Sequence, residues 1–208
     1  MKNKVLRLTE SALLIAMATL LSLVTIIRLP QGGDVTLCST LPLVLIGYRY
    51  GVKWGMAAAT FNALIQLLLG LSNLSYAANF GVAVIIVLFD YLIAYAAYGL
   101  AGFFKNSKFK QGTALCLSLV VCSAVRYVCH VVSGYFVWSE WAEGEWLTAL
   151  CEAWGVPAAS DLYFLIYSMG YNSFVLVDMA IAMMVAVALS LVLDLSCPGL
   201  PRVRRKNA

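Results

Sequence analysis

Charge is scarce in this chain of 208 residues. Asp, Glu, Lys and Arg together make up 12% of it, about half the share found in an ordinary soluble domain. There is one histidine, His130. None of the six cysteines has CxxC spacing or a Cys/His pattern that would hold zinc, so they read as small hydrophobes inside helices. No GxSxG, HExxH or nucleotide-binding loop occurs, so the chain carries no signature of a hydrolase or an ATPase. No internal repeat is visible, and none of the polar tracts of a disordered or nucleic-acid-binding arm is present. What remains is apolar: 62% hydrophobic residues and a mean hydropathy of +0.89. Such a composition describes a protein whose main solvent is lipid. One integral membrane domain over residues 1–208 is expected, with no room for a separate soluble catalytic domain.

Spanning helices need about 20 mostly apolar residues, and six segments qualify: about Thr9–Ile27, Thr36–Tyr48, Trp54–Leu71, Asn79–Phe103, Gly112–Val137 and Asn172–Leu195. The expected fold is therefore an all-α bundle of six transmembrane helices. The second segment is short and contains Pro42, which predicts a kink. The N-terminal segment reads as a span rather than a cleaved leader. Lys2, Lys4, Arg7, Arg49, Lys53, Lys105, Lys108, Lys110, Arg202, Arg204, Arg205 and Lys206, twelve of the 14 basic residues, fall on one side of that bundle. The positive-inside rule makes this side, and both termini, cytoplasmic. The basic tail then acts as a topology anchor at the lipid surface, and the net charge of +4 calls for no nucleic acid. On the other side, residues 139–171 carry Glu140, Glu143, Glu145, Glu152 and Asp161 with no Lys or Arg, and are rich in tryptophan. This stretch reads as an extracellular loop, either an interfacial aromatic belt or a lid whose acidic rim concentrates cationic ligands.

Ionisable residues within a span are costly and mark function by default. Four stand out: Asp90, Arg126, His130 and Asp178. Arg126, His130, Gly134 and Trp138 recur every four residues and so share one helix face. His130 and Trp138 are candidates to face a ligand. Arg126 and Asp178 read either as a structural ion pair, with Asp90 as an alternative partner for Arg126, or as further ligand groups. Asn62 and Gln66 either line the same cavity or bond between helices. Metal binding is not expected at Asp90, since no second carboxylate or imidazole stands at ligand spacing near it. A carboxylate, an imidazole and several aromatic rings suit a flat cationic heterocycle bearing an exocyclic amine.

The order and spacing of several blocks resemble a known family. These are Glu10-Ser-Ala-Leu-Leu-Ile-Ala-Met-Ala, Leu29-Pro-Gln-Gly-Gly-Asp-Val-Thr-Leu, Leu41-Pro-Leu, Tyr50-Gly-Val-Lys-Trp-Gly, Asp90-Tyr91, Tyr98-Gly-Leu-Ala-Gly and Arg126-Tyr-Val-Cys-His-Val-Val-Ser-Gly. Over nearly its whole length the chain is similar to the thiamine-specific S components of energy-coupling factor (ECF) vitamin transporters, the ThiT family. The resemblance implies a substrate-binding subunit that captures thiamine with high affinity outside the cell and uses no cofactor of its own. A transmembrane T subunit and two ABC ATPase subunits would drive uptake, and ATP would be consumed only there. It implies a binding site at Asp90, Tyr91, His130, Trp138, Tyr167 and Asn172, with Tyr171 beside it, and a T-subunit contact at Ala12 and Ala16, small residues four apart. The family's glutamate is Asp90 here, residues 138–167 are longer than the family's, and Arg28–Asp34 lacks a tryptophan. The alternatives are an S component for a thiamine precursor or related pyrimidine, and a stand-alone proton-coupled secondary transporter. An intramembrane enzyme is disfavoured by the missing catalytic patterns.

Overall fold

A computed structural model of the protein describes residues 2–29, 33–198 and 202–203. The basic residues Arg204, Arg205 and Lys206, and Pro30, Gln31 and Gly32 of the Arg28–Asp34 stretch, lie outside the described residues. Among the described residues the structure is mostly helical, with two short strand pairs. Among the described residues five helical stretches are long and apolar enough to cross a membrane: Lys4–Leu23, Val52–Leu69, Phe80–Phe104, Gln111–Phe136 and Asp161–Val192. Large apolar side chains such as Leu13, Leu20, Met184 and Leu191 point outward, as they do where the surrounding medium is hydrocarbon rather than water.

Helix α1 (Lys2–Leu23) ends four residues earlier than the sequence predicts. The cause is the β-branched run Val24, Thr25, Ile26, Ile27, which crowds a helical turn and favours extended backbone. These residues enter strand β1 (Thr25–Arg28), which pairs antiparallel with β2 (Asp34–Thr36). Helix α2 (Leu41–Tyr50) has 10 residues, a rise of about 15 Å, so it does not span hydrocarbon by itself. Pro42 occupies its first turn, where a missing N–H is harmless, and so produces no kink. Residues 41–49 of this helix are all buried, which makes α2 a core element. Helix α3 (Val52–Leu69) follows directly, and Leu71–Tyr76 forms a 3-10 turn.

The fourth helix is a composite. It runs as α4 (Phe80–Ile85), a π-helical stretch Ile86–Leu92, α5 (Ile93–Ala96) and a 3-10 stretch Ala97–Phe104. The 3-10 end packs backbone to backbone on the α2–α3 corner: a Cβ built on Gly99 would stand 2.1 Å from Met56 N, and one on Gly102 2.1 Å from Val52 N. Helix α6 (Gln111–Phe136) is the central long helix and packs against α8 and α9.

The stretch read as a loop, residues 139–171, holds two helices, α7 (Glu145–Ala153) and α8 (Asp161–Tyr171). Ser160 caps α8 by accepting from Tyr163 N, and Asp161 stands in its first turn, a favourable place for an acid. Helix α9 (Phe174–Val192) follows after a break at Asn172 and Ser173. The last predicted span thus begins one helix earlier than expected, at Asp161.

At the basic end Arg49 is buried, pairs with Glu10 of α1 and donates its Nε to Leu195 O at 2.7 Å. These contacts tie α1 and α2 to the segment that follows α9. Arg7 lies 3.9 Å over the Trp54 ring, a cation–π contact.

Candidate functional site

The end of the molecule opposite the basic residues encloses a cavity of about 320 Å³, at the small end of the range for small-molecule sites. The ends of α1 and α3, the β1–β2 hairpin, the π-helical part of the fourth helix, α6, α8 and α9 all contribute to its wall. Asp90, Tyr91, His130, Trp138, Tyr167, Tyr171 and Asn172 all line it, although they lie up to 82 positions apart in sequence, from Asp90 to Asn172. Arg126 and Gly134 line it as well, so the four-residue stripe on α6 and just beyond it faces one space. Gly134 is required there by close packing: a Cβ would come within 2.1 Å of Ser168 Oγ on α8.

Asp90 is the focus of the donors. His130 Nδ1 lies 3.0 Å from its Oδ1, while Ser133 Oγ donates to Oδ2 at 2.8 Å and Trp138 Nε1 reaches the same oxygen at 3.4 Å. Arg126 does not pair with Asp90. Its Nη1 lies 3.6 Å from Asp178 Oδ2 and donates to Tyr98 Oη at 3.0 Å. Its Nε donates to His130 Nε2 at 3.2 Å. A guanidinium can only donate, so that contact fixes the imidazole: Nε2 accepts, and Nδ1 carries the proton that it gives to Asp90. His130 is thereby a neutral bridge between a guanidinium and a carboxylate.

The other candidates divide by what their polar atoms do. Tyr91 donates its hydroxyl to Gly70 O at 3.1 Å and accepts from Asn73 Nδ2 at 3.0 Å, so its ring, not its hydroxyl, is what the cavity wall gains. Asn172 donates its amide to His130 O at 3.1 Å and Ser168 O at 2.9 Å, pinning α8 to α6. Tyr167 stacks on Trp146 of α7 (6.5 Å, 19°) and lies tilted against Tyr171 (5.6 Å, 36°). Trp138 lies half-buried beside Tyr76, ring centroids 5.2 Å apart. Gln66 lines the cavity and donates to Ser22 Oγ at 3.0 Å, whereas Asn62 is buried away from it and receives the Thr19 hydroxyl at 3.4 Å. Ala12 and Ala16 lie far from this site, exposed on the outer face of α1.

Several residues of the site escaped the sequence reading. Tyr95 sits four residues after Tyr91 and under the Arg126 guanidinium at 5.1 Å, so helical spacing alone would have found it. Ser133 adjoins the α6 stripe, but nothing in the sequence marks it as a donor to Asp90. Arg28, Asp34 and Thr36 reach the cavity only because the hairpin folds back over it. Among the described residues no three His, Cys, Asp or Glu side chains converge to hold a metal ion.

Residues 8–150, more than half of the chain, match the family described as thiamine transporter protein. The chain is also 30% identical over 182 residues to the thiamine transporter ThiT of Bacillus subtilis (strain 168), with 82% of each chain covered. With its apolar helices and a small-molecule cavity at one end, the chain belongs to the thiamine transporter protein family and is a multi-pass bacterial membrane protein.

Proposed function

We propose that this chain is the substrate-capturing S component of an ECF-type importer, that it takes thiamine from outside the cell into the cavity around Asp90, and that it catalyses no chemistry. The observation that carries this reading is the carboxylate of Asp90, held by three neutral donors at the wall of an aromatic cavity. An ionised carboxylate offers roughly four lone-pair positions; three protein donors leave it able to accept the exocyclic amine of the aminopyrimidine. Asn172 keeps its carbonyl oxygen for the same ring. The thiazolium, a fixed cation, lies against the rings of Trp138 and Tyr167. The charge balance agrees: three carboxylates, Asp34, Asp90 and Asp178, face two guanidiniums, Arg28 and Arg126, around a neutral imidazole, leaving one negative charge in excess.

The chain crosses the membrane six times in this reading, α2 filling the second passage with the help of its flanking segments. Lys4, Lys53, Lys105, Lys108 and Lys110 place the basic end, and both termini, in the cytoplasm. Residues 139–160 lie outside, with α7 behind the aromatic wall, and α8 enters the last span. The exposed Ala12 and Ala16 face offers close approach to a helix of the T subunit. ATP is used by two partner ATPases and no cofactor is bound here.

Quenching of tryptophan fluorescence by thiamine in the purified protein tests the binding step. A hydroxymethylpyrimidine that binds as tightly as thiamine would make a precursor the ligand. Uptake by vesicles holding this chain alone, driven by a proton gradient, would replace the S-component reading with a secondary transporter.

A further inference from the structure

The hairpin over the cavity and the carboxylate at its wall are the two ends of one continuous polar chain. Thr36 of β2 donates both its backbone N–H (3.0 Å) and its hydroxyl (2.9 Å) to Asp178 Oδ1. The other oxygen of Asp178 faces Arg126 Nη1 at 3.6 Å. Arg126 Nε continues to His130 Nε2, and His130 Nδ1 to Asp90 Oδ1. Asp178 is 2% exposed, Arg126 7% and His130 9%, so water contributes little to satisfying them. Tyr95, Tyr98 and Phe174 close round the guanidinium, their rings 5.1 to 5.9 Å away.

Two physical consequences follow from Asp178. The first is electrostatic. Arg126 stands one imidazole away from Asp90, and in a poorly hydrated interior its charge acts at that range. Unless another carboxylate neutralises it, it opposes the entry of a cationic ligand, and it is free to swing towards Asp90 itself. The second is mechanical. β1–β2 is a two-stranded hairpin, which is marginal without support. Thr36 ties it to α9 through a buried acceptor, and Arg28, Gly33 and Asp34 at the cavity wall ride on that tie.

We infer that Asp178 is a positioning residue for thiamine capture: by occupying Arg126 and anchoring β2, it sets both the readiness of Asp90 for a cation and the placement of the hairpin over the cavity. It does this without touching the ligand. The inference rests on the reading that the cavity takes thiamine.

The test compares wild type with Asp178→Asn, Asp178→Ala and the double variant Arg126→Gln with Asp178→Asn, measuring the thiamine Kd by tryptophan quenching. Asp178→Asn keeps an acceptor for Thr36 but leaves Arg126 unneutralised. Its Kd is expected to rise roughly 30-fold or more, as for other buried charges stripped of a partner. In the double variant both charges are gone, and glutamine can still donate to His130 Nε2. Its Kd should return to within roughly fivefold of wild type. A merely structural ion pair moves the melting temperature and not the Kd of the folded protein, so an Asp178→Asn Kd within threefold of wild type overturns the inference, as does a double variant no tighter than Asp178→Asn. Should Asp178→Asn not fold, the double variant decides: a Kd near wild type supports the inference and a 30-fold loss overturns it.

Hydrogen exchange tests the mechanical half without ligand. In Asp178→Ala the Thr36 amide should exchange at least about tenfold faster than in wild type, because opening of the hairpin then breaks no buried bond. Unchanged exchange there overturns the anchoring. Wild-type protein that binds no thiamine would defeat the proposed function, while the exchange result would still stand or fall by itself.

Discussion

Replacing Asp90 by asparagine separates recognition from folding, because the geometry around it limits what the amide can do. The substitution keeps shape and removes one acceptor oxygen along with the charge. If the amide nitrogen takes the Oδ1 position it meets His130 Nδ1–H, donor against donor. The histidine cannot switch tautomer, since its Nε2 already receives Arg126 Nε. If the nitrogen takes the Oδ2 position it meets the Ser133 hydroxyl, which can rotate and accept, and the indole N–H of Trp138, which cannot. The second arrangement loses only the 3.4 Å indole contact, so asparagine should settle that way. The ligand-free protein then loses about 1 kcal/mol, the usual size of one neutral hydrogen bond, or about 2–4 °C of melting temperature for a chain of this length.

Thiamine binding should suffer far more. The amine now faces an amide nitrogen, and the thiazolium loses the carboxylate's charge. Truncating a buried charged pair of this sort removes about 2–5 kcal/mol, a Kd raised roughly 30- to 4,000-fold. Both numbers come from one preparation, titrated by tryptophan quenching and melted without ligand. An Asp90→Asn protein that binds within threefold of wild type would refute the assignment of Asp90 to the pyrimidine. A fall in melting temperature beyond about 10 °C would show instead that the carboxylate holds the helices together.

Trp138→Ala should raise the thiamine Kd by about 10-fold or more, since stacking on an aromatic ring is worth roughly 1–3 kcal/mol in comparable cases, and should reduce the quenching amplitude; unchanged affinity and quenching would remove it from the site. Ala12→Trp with Ala16→Trp should abolish uptake in cells while leaving thiamine binding by the purified chain intact, because both residues lie exposed on α1, away from the cavity; parallel loss of both activities would argue for ordinary packing. Gly99→Ala should lower the yield of folded protein sharply, by several kcal/mol of stability, because its Cβ would meet Met56 backbone atoms at 2.1 and 2.5 Å rather than a side chain able to move; normal melting would show that the corner can open.

Periodicity carries far through this chain where hydrocarbon is the solvent. The spans containing α1, α3, α6 and the fourth helix were legible because a lipid-facing helix must be long and apolar, and their apolar runs say so. Two kinds of feature were not. Helices α7 and α8 carry acids, tyrosines and tryptophans at an interface, where composition no longer separates helix from loop. Their burial depends on long-range partners: Leu147 and Cys151 of α7 are covered by Tyr167 of α8. The β1–β2 hairpin was hidden because four β-branched residues in a row also suit a lipid-facing helix by hydropathy. In the site, chemistry was readable wherever a charge broke an apolar run, as at Asp90, Arg126, His130 and Asp178. Pairings were not. Arg126 had two carboxylates within plausible reach, and only the packing of α6 against α9 settles it on Asp178.

The fourth helix shows most plainly why the site lies at one end of the bundle. Its sequence reads as one unbroken apolar run, yet its geometry changes along its length. In the π-helical stretch Ile86–Leu92 the turn widens to i→i+5 bonding, a feature often found at functional sites. Asp90 and Tyr91 stand in this stretch and Tyr95 one turn further on in α5, and all three line the cavity. Beyond α5 the same helix tightens to 3-10 geometry over Ala97–Phe104, where Ala97, Gly99, Ala101 and Gly102 let its backbone lie against the α2–α3 corner. Side chains too small to fill space make that half rigid by contact of backbones, and this rigidity supports the looser half. A uniform α-helix would satisfy its hydrogen bonds equally well, but its wider cylinder would not lie as close to that corner.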